Sequence, residues 1–95
     1  MVIDEILPYC NINLIDGCIR IFNSDIPEEE LKWHFDEEDR TVTVIESSGW
    51  KFQLDNELPI ELIPGVVINI DKGVYHRIIK GDSPLVVRII KHGIN

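Results

Sequence analysis

The chain contains no alanine, and it has few cysteines and few basic residues for its 95 residues. Alanine is the strongest helix former, whereas isoleucine, present seventeen times, favours strands. This length provides one hydrophobic core of modest size and leaves no room for a second. The composition therefore predicts a single all-β domain over residues 1–95.

The shortage of basic residues limits the partners that the chain can bind. Nine Lys and Arg residues against 17 Asp and Glu residues give a net charge of −8 at pH 7, and a phosphate-binding surface needs the opposite balance. No apolar run approaches membrane-spanning length, and the first residues are acidic rather than basic. We expect a soluble cytoplasmic protein that has neither a nucleic acid nor a membrane as its partner.

The two cysteines, Cys10 and Cys18, form no CxxC motif and have no histidine near them in the sequence. Free thiols in a reducing cytoplasm are the simplest interpretation, with a disulfide or a redox role as the alternative.

Short apolar segments separated by turn residues every eight to twelve positions predict eight or nine strands, as in a barrel or jelly roll. The strongest is Arg40–Glu46, which places Arg40, Val42 and Val44 on one face. Near the N-terminus we predict a strand over 2–7. Turn residues over 11–17, with a tight turn at Asp16-Gly17 leading into a strand over 18–22, predict a hairpin. One helical turn is predicted over 27–30.

Residues 31–36 also alternate, with Leu31, Trp33 and Phe35 on one face and His34 and Asp36 on the other. Residues i and i+2 of a strand project to the same side, so His34 and Asp36 can act together. Trp33 and Phe35 are predicted to pack or to contact a second subunit.

Residues 64–77 carry a family resemblance. Pro64-Gly65, a strand, Lys72-Gly73 and then His76 are similar to the second motif of the cupins, with Asp71 where that family usually has proline. His34 and Asp36 stand where the two histidines of the first cupin motif would be, and Arg40 stands at the position of its glutamate.

The resemblance covers roughly residues 31–90 and implies a cupin-type double-stranded β-helix, or jelly-roll barrel, here with short N-terminal strands. It also implies pairing of subunits as a homodimer. Such pairing would cover exposed strand edges of a small all-β domain.

The chemistry of three side chains predicts a metal centre. His34, Asp36 and His76 make a set of two histidines and one carboxylate, which suffices to hold one divalent ion such as manganese, iron, nickel or zinc with positions left for substrate.

Arg40 supports the opposite interpretation. Its guanidinium stays charged inside a protein, and by strand alternation it faces the same interior as Val42 and Val44. Such a fixed cation would repel a divalent ion and could pair with Asp36, leaving His34 and His76 as hydrogen-bonded interior histidines.

Three functions follow from these alternatives. The first is binding of a small polar or anionic ligand in the barrel pocket, with Arg40 as the anion anchor and Trp50 and Phe52 as apolar walls. The second is a metal-dependent oxygenase or isomerase that uses His34, Asp36 and His76. The third is a non-catalytic structural or regulatory homodimer.

Overall fold

Eight β-strands form in the part of the chain that the computed structural model describes, residues 9–27 and 31–93. They are β1 (Tyr9–Leu14), β2 (Gly17–Phe22), β3 (Arg40–Glu46), β4 (Lys51–Leu54), β5 (Ile60–Glu61), β6 (Val67–Ile70), β7 (His76–Ile79) and β8 (Leu85–Lys91).

The strands make two antiparallel sheets. The larger has the order β1-β2-β8-β3-β6 and the smaller the order β5-β4-β7. Strands that are distant in sequence are neighbours in both sheets, which is the jelly-roll pattern. The described residues include no helix, so the prediction of an all-β fold is confirmed.

Alternation along the two longest strands builds the interface between the sheets. In β8, Leu85, Val87 and Ile89 are buried while the residues between them are less so. In β3, Val44 is buried opposite Val87. Strand β3 has the predicted bounds, since its β-branched residues suit a pleated surface buried on one side.

The predicted N-terminal strand over 2–7 and most of the helical turn over 27–30 lie outside the described residues. The predicted hairpin is confirmed, and its turn lies at Ile15 and Asp16, one residue before the predicted Asp16-Gly17. The run of turn residues was extended too far, because β1 continues to Leu14 and pairs with β2 along its whole length, from Tyr9 opposite Phe22 to Leu14 opposite Gly17. Asparagine is uncommon in β-strands, but a complete ladder of hydrogen bonds with a neighbouring strand outweighs this low strand propensity. Gly17 is required there because a Cβ would collide with the backbone carbonyl of Ile89.

The segment 31–36 is not a strand either. It makes a single β-bridge, between His34 and His76. The predicted alternation holds for three of its residues, because Asp36 is buried while Trp33 and Phe35 are 41% and 46% exposed. It is wrong for Leu31, which packs against the core.

The core lies between the two sheets. Trp50 fills its centre with no exposed surface and donates its indole N–H to the carbonyl of Ser83. The buried apolar residues are Cys18, Val44, Trp50, Phe52, Leu62, Ile68, Ile70, Leu85, Val87 and Ile89.

No helix of the described residues is long and apolar enough to cross a membrane.

Candidate metal centre

His34 and His76 face each other across the single bridge between segment 31–36 and β7. The His34 amide donates to the His76 carbonyl at 3.0 Å, and the His76 amide donates to the His34 carbonyl at 2.8 Å. Directly opposed residues of an antiparallel pair project to the same side. The two imidazole rings therefore lie together, with centroids 4.4 Å apart.

The backbone orients both imidazoles in the same way. His34 Nδ1 lies 3.0 Å from the Lys32 carbonyl oxygen, and His76 Nδ1 lies 2.8 Å from the Val74 carbonyl oxygen. A carbonyl only accepts, so each Nδ1 carries a proton and Nε2 is the nitrogen left to meet a ligand or an ion. Histidines that ligate metals are oriented by this kind of contact.

Asp36 completes the group from within the fold. The Gly73 amide, in the turn before β7, donates to the Asp36 backbone carbonyl at 2.8 Å, and this bond holds the segment against that turn. Gly73 has a φ of +78°, which a side chain would strain. The Asp36 carboxylate is buried and its Oδ2 lies 3.3 Å from His76 Nε2.

The three predicted ligands therefore converge. One donor atom from each of His34, Asp36 and His76 lies within 4.8 Å of the other two. Donor atoms of one divalent ion bound at about 2.0–2.2 Å are about 3.0–3.6 Å apart, so the group would have to close slightly around an ion. Asp36 and His76 are already at such a separation, and exposed His34 has the most freedom to close on an ion.

Arg40 lies beside this group, as predicted, but it has two carboxylate partners. Its Nη1 is 3.3 Å from Asp36 Oδ1 and its Nε is 2.6 Å from Glu38 Oε2. Glu38 is only 19% exposed at its side chain. The two carboxylates exceed the one guanidinium by a single negative charge, so the charge of Arg40 is cancelled locally.

Glu38 is the residue that sequence reasoning missed, because it stands in an acidic run that resembles a solvated loop. No local signal identified it, because the chain bends at Glu37 and Glu38 and strand alternation does not extend through this run.

Opposing effects act on the ionisation of Asp36. Burial raises its pKa and is the largest single effect, but the hydrogen bond with His76 and the charges of Arg40, His76 and His34 outweigh it. The pKa of Asp36 is therefore held below its ordinary value, and the carboxylate is charged at neutral pH.

The group opens into a cavity of about 330 Å³ between the two sheets. Small-molecule sites typically enclose about 300–1,000 Å³, so the cavity suits a small ligand. Arg40 and Phe52 line it, and the Phe52 ring centroid is 5.6 Å from that of His76.

Trp50 is not part of the lining. The pocket-wall position predicted for it is wrong, because its side chain is fully buried in the core. The apolar walls come mainly from Phe22, Val42, Phe52, Leu62, Ile68, Ile70, Ile78, Leu85, Val87 and Ile89.

No protein-family model matches the sequence, and no curated protein matches it. Solved structures do match. A cupin-2 domain protein from Shewanella frigidimarina is 16% identical with a TM-score of 0.62, over 95% of this chain and 85% of that one.

Two larger proteins contain the same arrangement of strands. Fe(II)-HppE with the alternative substrate (S)-1-HPP is 18% identical with a TM-score of 0.69, over 96% of this chain and 53% of that chain. A DMSP lyase is 17% identical with a TM-score of 0.67, over 80% of this chain and 37% of that chain. The chain thus spans about half or less of the length of these two proteins. At such identities the likeness concerns the backbone alone, and the backbone is that of the cupin-type jelly-roll fold.

Proposed function

We propose that this chain is a divalent-metal-binding cupin that acts on a small molecule held in its cavity. The convergence of His34, Asp36 and His76 within 4.8 Å carries the proposal. The cancelled charge of Arg40 removes the main objection to it, because the group keeps the net negative charge that favours a cation.

Each side chain has a distinct part. His34 and His76 would offer Nε2, and Asp36 would offer Oδ2 and the negative charge. Arg40 forms an ion pair with the other carboxylate oxygen, Oδ1, which favours one orientation of Asp36. An ion bound there would supply Lewis acidity or, if it is redox-active, oxygen activation. The apolar walls exclude water from the bound molecule.

Elemental analysis of the untagged protein by plasma mass spectrometry tests the proposal. We expect about one manganese, iron, nickel, copper or zinc ion per chain, lost in His76→Ala. His92→Ala is the matched control, because His92 is the remaining histidine of the chain and contacts Thr41 instead. Equal metal in His76→Ala and wild type would exclude this ligand set.

A metal-free binding pocket is the second candidate. It is favoured by the contacts that Asp36 makes with Arg40 and His76, since a bonded carboxylate needs no ion. The pocket would bind a small polar or anionic molecule. The net charge of −8 does not support a nucleic acid as partner. Two results together would favour this metal-free pocket. The protein would hold no metal after incubation with divalent ions, and it would bind carboxylates or phosphates in a way that Arg40→Ala abolishes.

We also propose that the protein is a cytoplasmic homodimer. Ile12 is 53% exposed, and Trp33 and Phe35 are 41% and 46% exposed, which leaves apolar surface for a second subunit to cover. Cys10 and Cys18 are free thiols, in keeping with a reducing compartment. A monomer by light scattering at micromolar concentration would contradict the dimer.

A further inference from the structure

A second cation, Arg20 of β2, lines the same cavity together with Tyr9 of β1. Its guanidinium carbon lies 3.8 Å from the centroid of the Tyr9 ring, which is a cation–π contact. Its Nε donates to Asn11 Oδ1 at 2.8 Å. The side chain is therefore held in place by a ring and an amide, both of them uncharged.

Arg20 differs from Arg40 in its charge balance. The ion pairs among residues 9–27 and 31–93 involve Arg40, His76 and Arg88, and none of them involves Arg20. With Nε occupied by Asn11, the two Nη groups have no hydrogen-bond acceptor within the described residues. Two parallel N–H groups of this kind match the two oxygens of a carboxylate or a phosphate.

Lys32 adds a further positive charge to the lining. It is exposed, and none of the ion pairs of the described residues involves it. Its backbone carbonyl is the one that orients the His34 imidazole. Lys32 therefore stands next to the metal centre and belongs to the same cavity as Arg20.

We infer that Arg20, assisted by Lys32, binds the anionic group of a small molecule whose apolar body lies against the cavity walls. The group is a carboxylate or a phosphate-like anion, which share the chemistry that Arg20 recognises. The claim that this molecule is a substrate rests on the proposed metal-dependent function. The claim that Arg20 binds an anion does not depend on that function.

Three probes of equal chain length test the inference: hexanoate, hexylphosphonate and the uncharged hexanol. They are titrated by calorimetry into metal-free protein, so that no bound ion competes for the anion. We expect at least one of the two anions to bind about tenfold or more tightly than hexanol, because charged hydrogen bonds are worth more than neutral ones. The tighter of the two anions identifies the head group.

Arg20→Gln is expected to weaken binding of that anion by about tenfold or more. Arg88→Gln is the matched control: it removes the same charge from the same sheet, but Arg88 pairs with Asp16 and does not line the cavity.

A second pair of variants leaves Arg20 in place. Asn11→Asp keeps the acceptor for Nε but adds a carboxylate beside the guanidinium, and it should weaken anion binding by about fivefold or more. Asn13→Asp adds the same charge two residues along β1, outside the cavity lining, and should leave binding close to wild type.

Equal binding of the anions and hexanol would overturn the inference. Anion binding that is unchanged in both Arg20→Gln and Asn11→Asp would also overturn it. These results are separable from the metal proposal. A protein that holds metal but binds the probes independently of Arg20 keeps the proposed function and loses the anion site. A protein that never holds metal but binds an anion through Arg20 does the reverse.

Discussion

Arg20 and Arg40 line the same cavity, but different groups surround their guanidinium groups. Arg40 lies between Asp36 and Glu38 and is 14% exposed at its side chain. Arg20 lies between Tyr9 and Asn11, which are uncharged. Carboxylates cancel the charge of Arg40, whereas no carboxylate of residues 9–27 and 31–93 forms an ion pair with Arg20.

This contrast shows why residue type alone does not identify an anion-binding arginine. Arg40 is the arginine that the sequence offers, because it stands beside a cluster of chemically active side chains. In the structure Arg40 pairs with Asp36 and Glu38. Arg20, whose two Nη groups have no acceptor among the described residues, lies in the β1–β2 hairpin, where the sequence shows no motif. The predictions below test that difference, beginning with the largest effect.

Arg40→Gln should destabilise the metal-free protein by about 3 kcal/mol, because it leaves the buried Asp36 carboxylate without its cation. Arg20→Gln should cost about 1 kcal/mol, since it loses one neutral hydrogen bond and one stacking contact. Urea unfolding measures both values. Equal losses in the two variants would erase the proposed distinction between the arginines.

Glu38→Gln should destabilise the metal-free protein by about 1–2 kcal/mol through loss of the charged contact with Arg40. Glu46→Gln, at an exposed position of β3, is a matched control and should change stability by less than about 0.5 kcal/mol. The difference in urea midpoint between the two variants reports the worth of the contact, and similar midpoints would mean that Arg40 is not bound by Glu38 in solution.

Acid should remove the contribution of Asp36. Its pKa is lower in the folded protein than its ordinary value of 3.8, so the stability it contributes is fully present above that value and is lost as the pH falls through the folded pKa. Unfolding of the metal-free protein between pH 7 and pH 2 should show a steeper acid loss for wild type than for Asp36→Asn.

Asp16→Asn is the control for this titration. The Asp16 pKa is also lowered, chiefly by its hydrogen bond with Arg88, but the carboxylate is fully exposed. Solvent screens such a pair, so its acid profile should follow that of wild type. An equal effect of the two substitutions would mean that burial of Asp36 does not matter.

Lys32→Gln should have the smallest effect, about a twofold to threefold loss in anion binding, because the Lys32 side chain is exposed and screened by solvent. The same calorimetric titration with hexanoate or hexylphosphonate measures it. A larger loss than that in Arg20→Gln would make Lys32 the main anchor.

The sequence predicted the fold through local patterns. Alternation located β3, and the Asp71-Lys72-Gly73 turn correctly preceded His76. The first strand of the hairpin was missed because Asn11 and Asn13 read as turn residues, and the β-ladder with β2 that stabilises them is not a local property.

The composition of the candidate site was predicted, but its charge balance was not. The cluster of His34, Asp36 and His76 followed from i, i+2 spacing and one later histidine. The Glu38 contact depends on where a bend sends the acidic run, and the position of Arg20 depends on which sheet β2 joins. Trp50 was misassigned because alternation gives the face of a strand but not the depth of the side chain.

Titration of the metal-free protein with cobalt(II) tests the central claim most directly, namely that Glu38 cancels Arg40 and leaves the centre able to bind a cation. Wild type should bind one ion per chain, and Glu38→Gln should bind it about tenfold more weakly, because the charge of Arg40 then acts on the ion. Binding in Arg40→Gln but none in wild type would contradict the account, since it would show that Arg40 closes the centre.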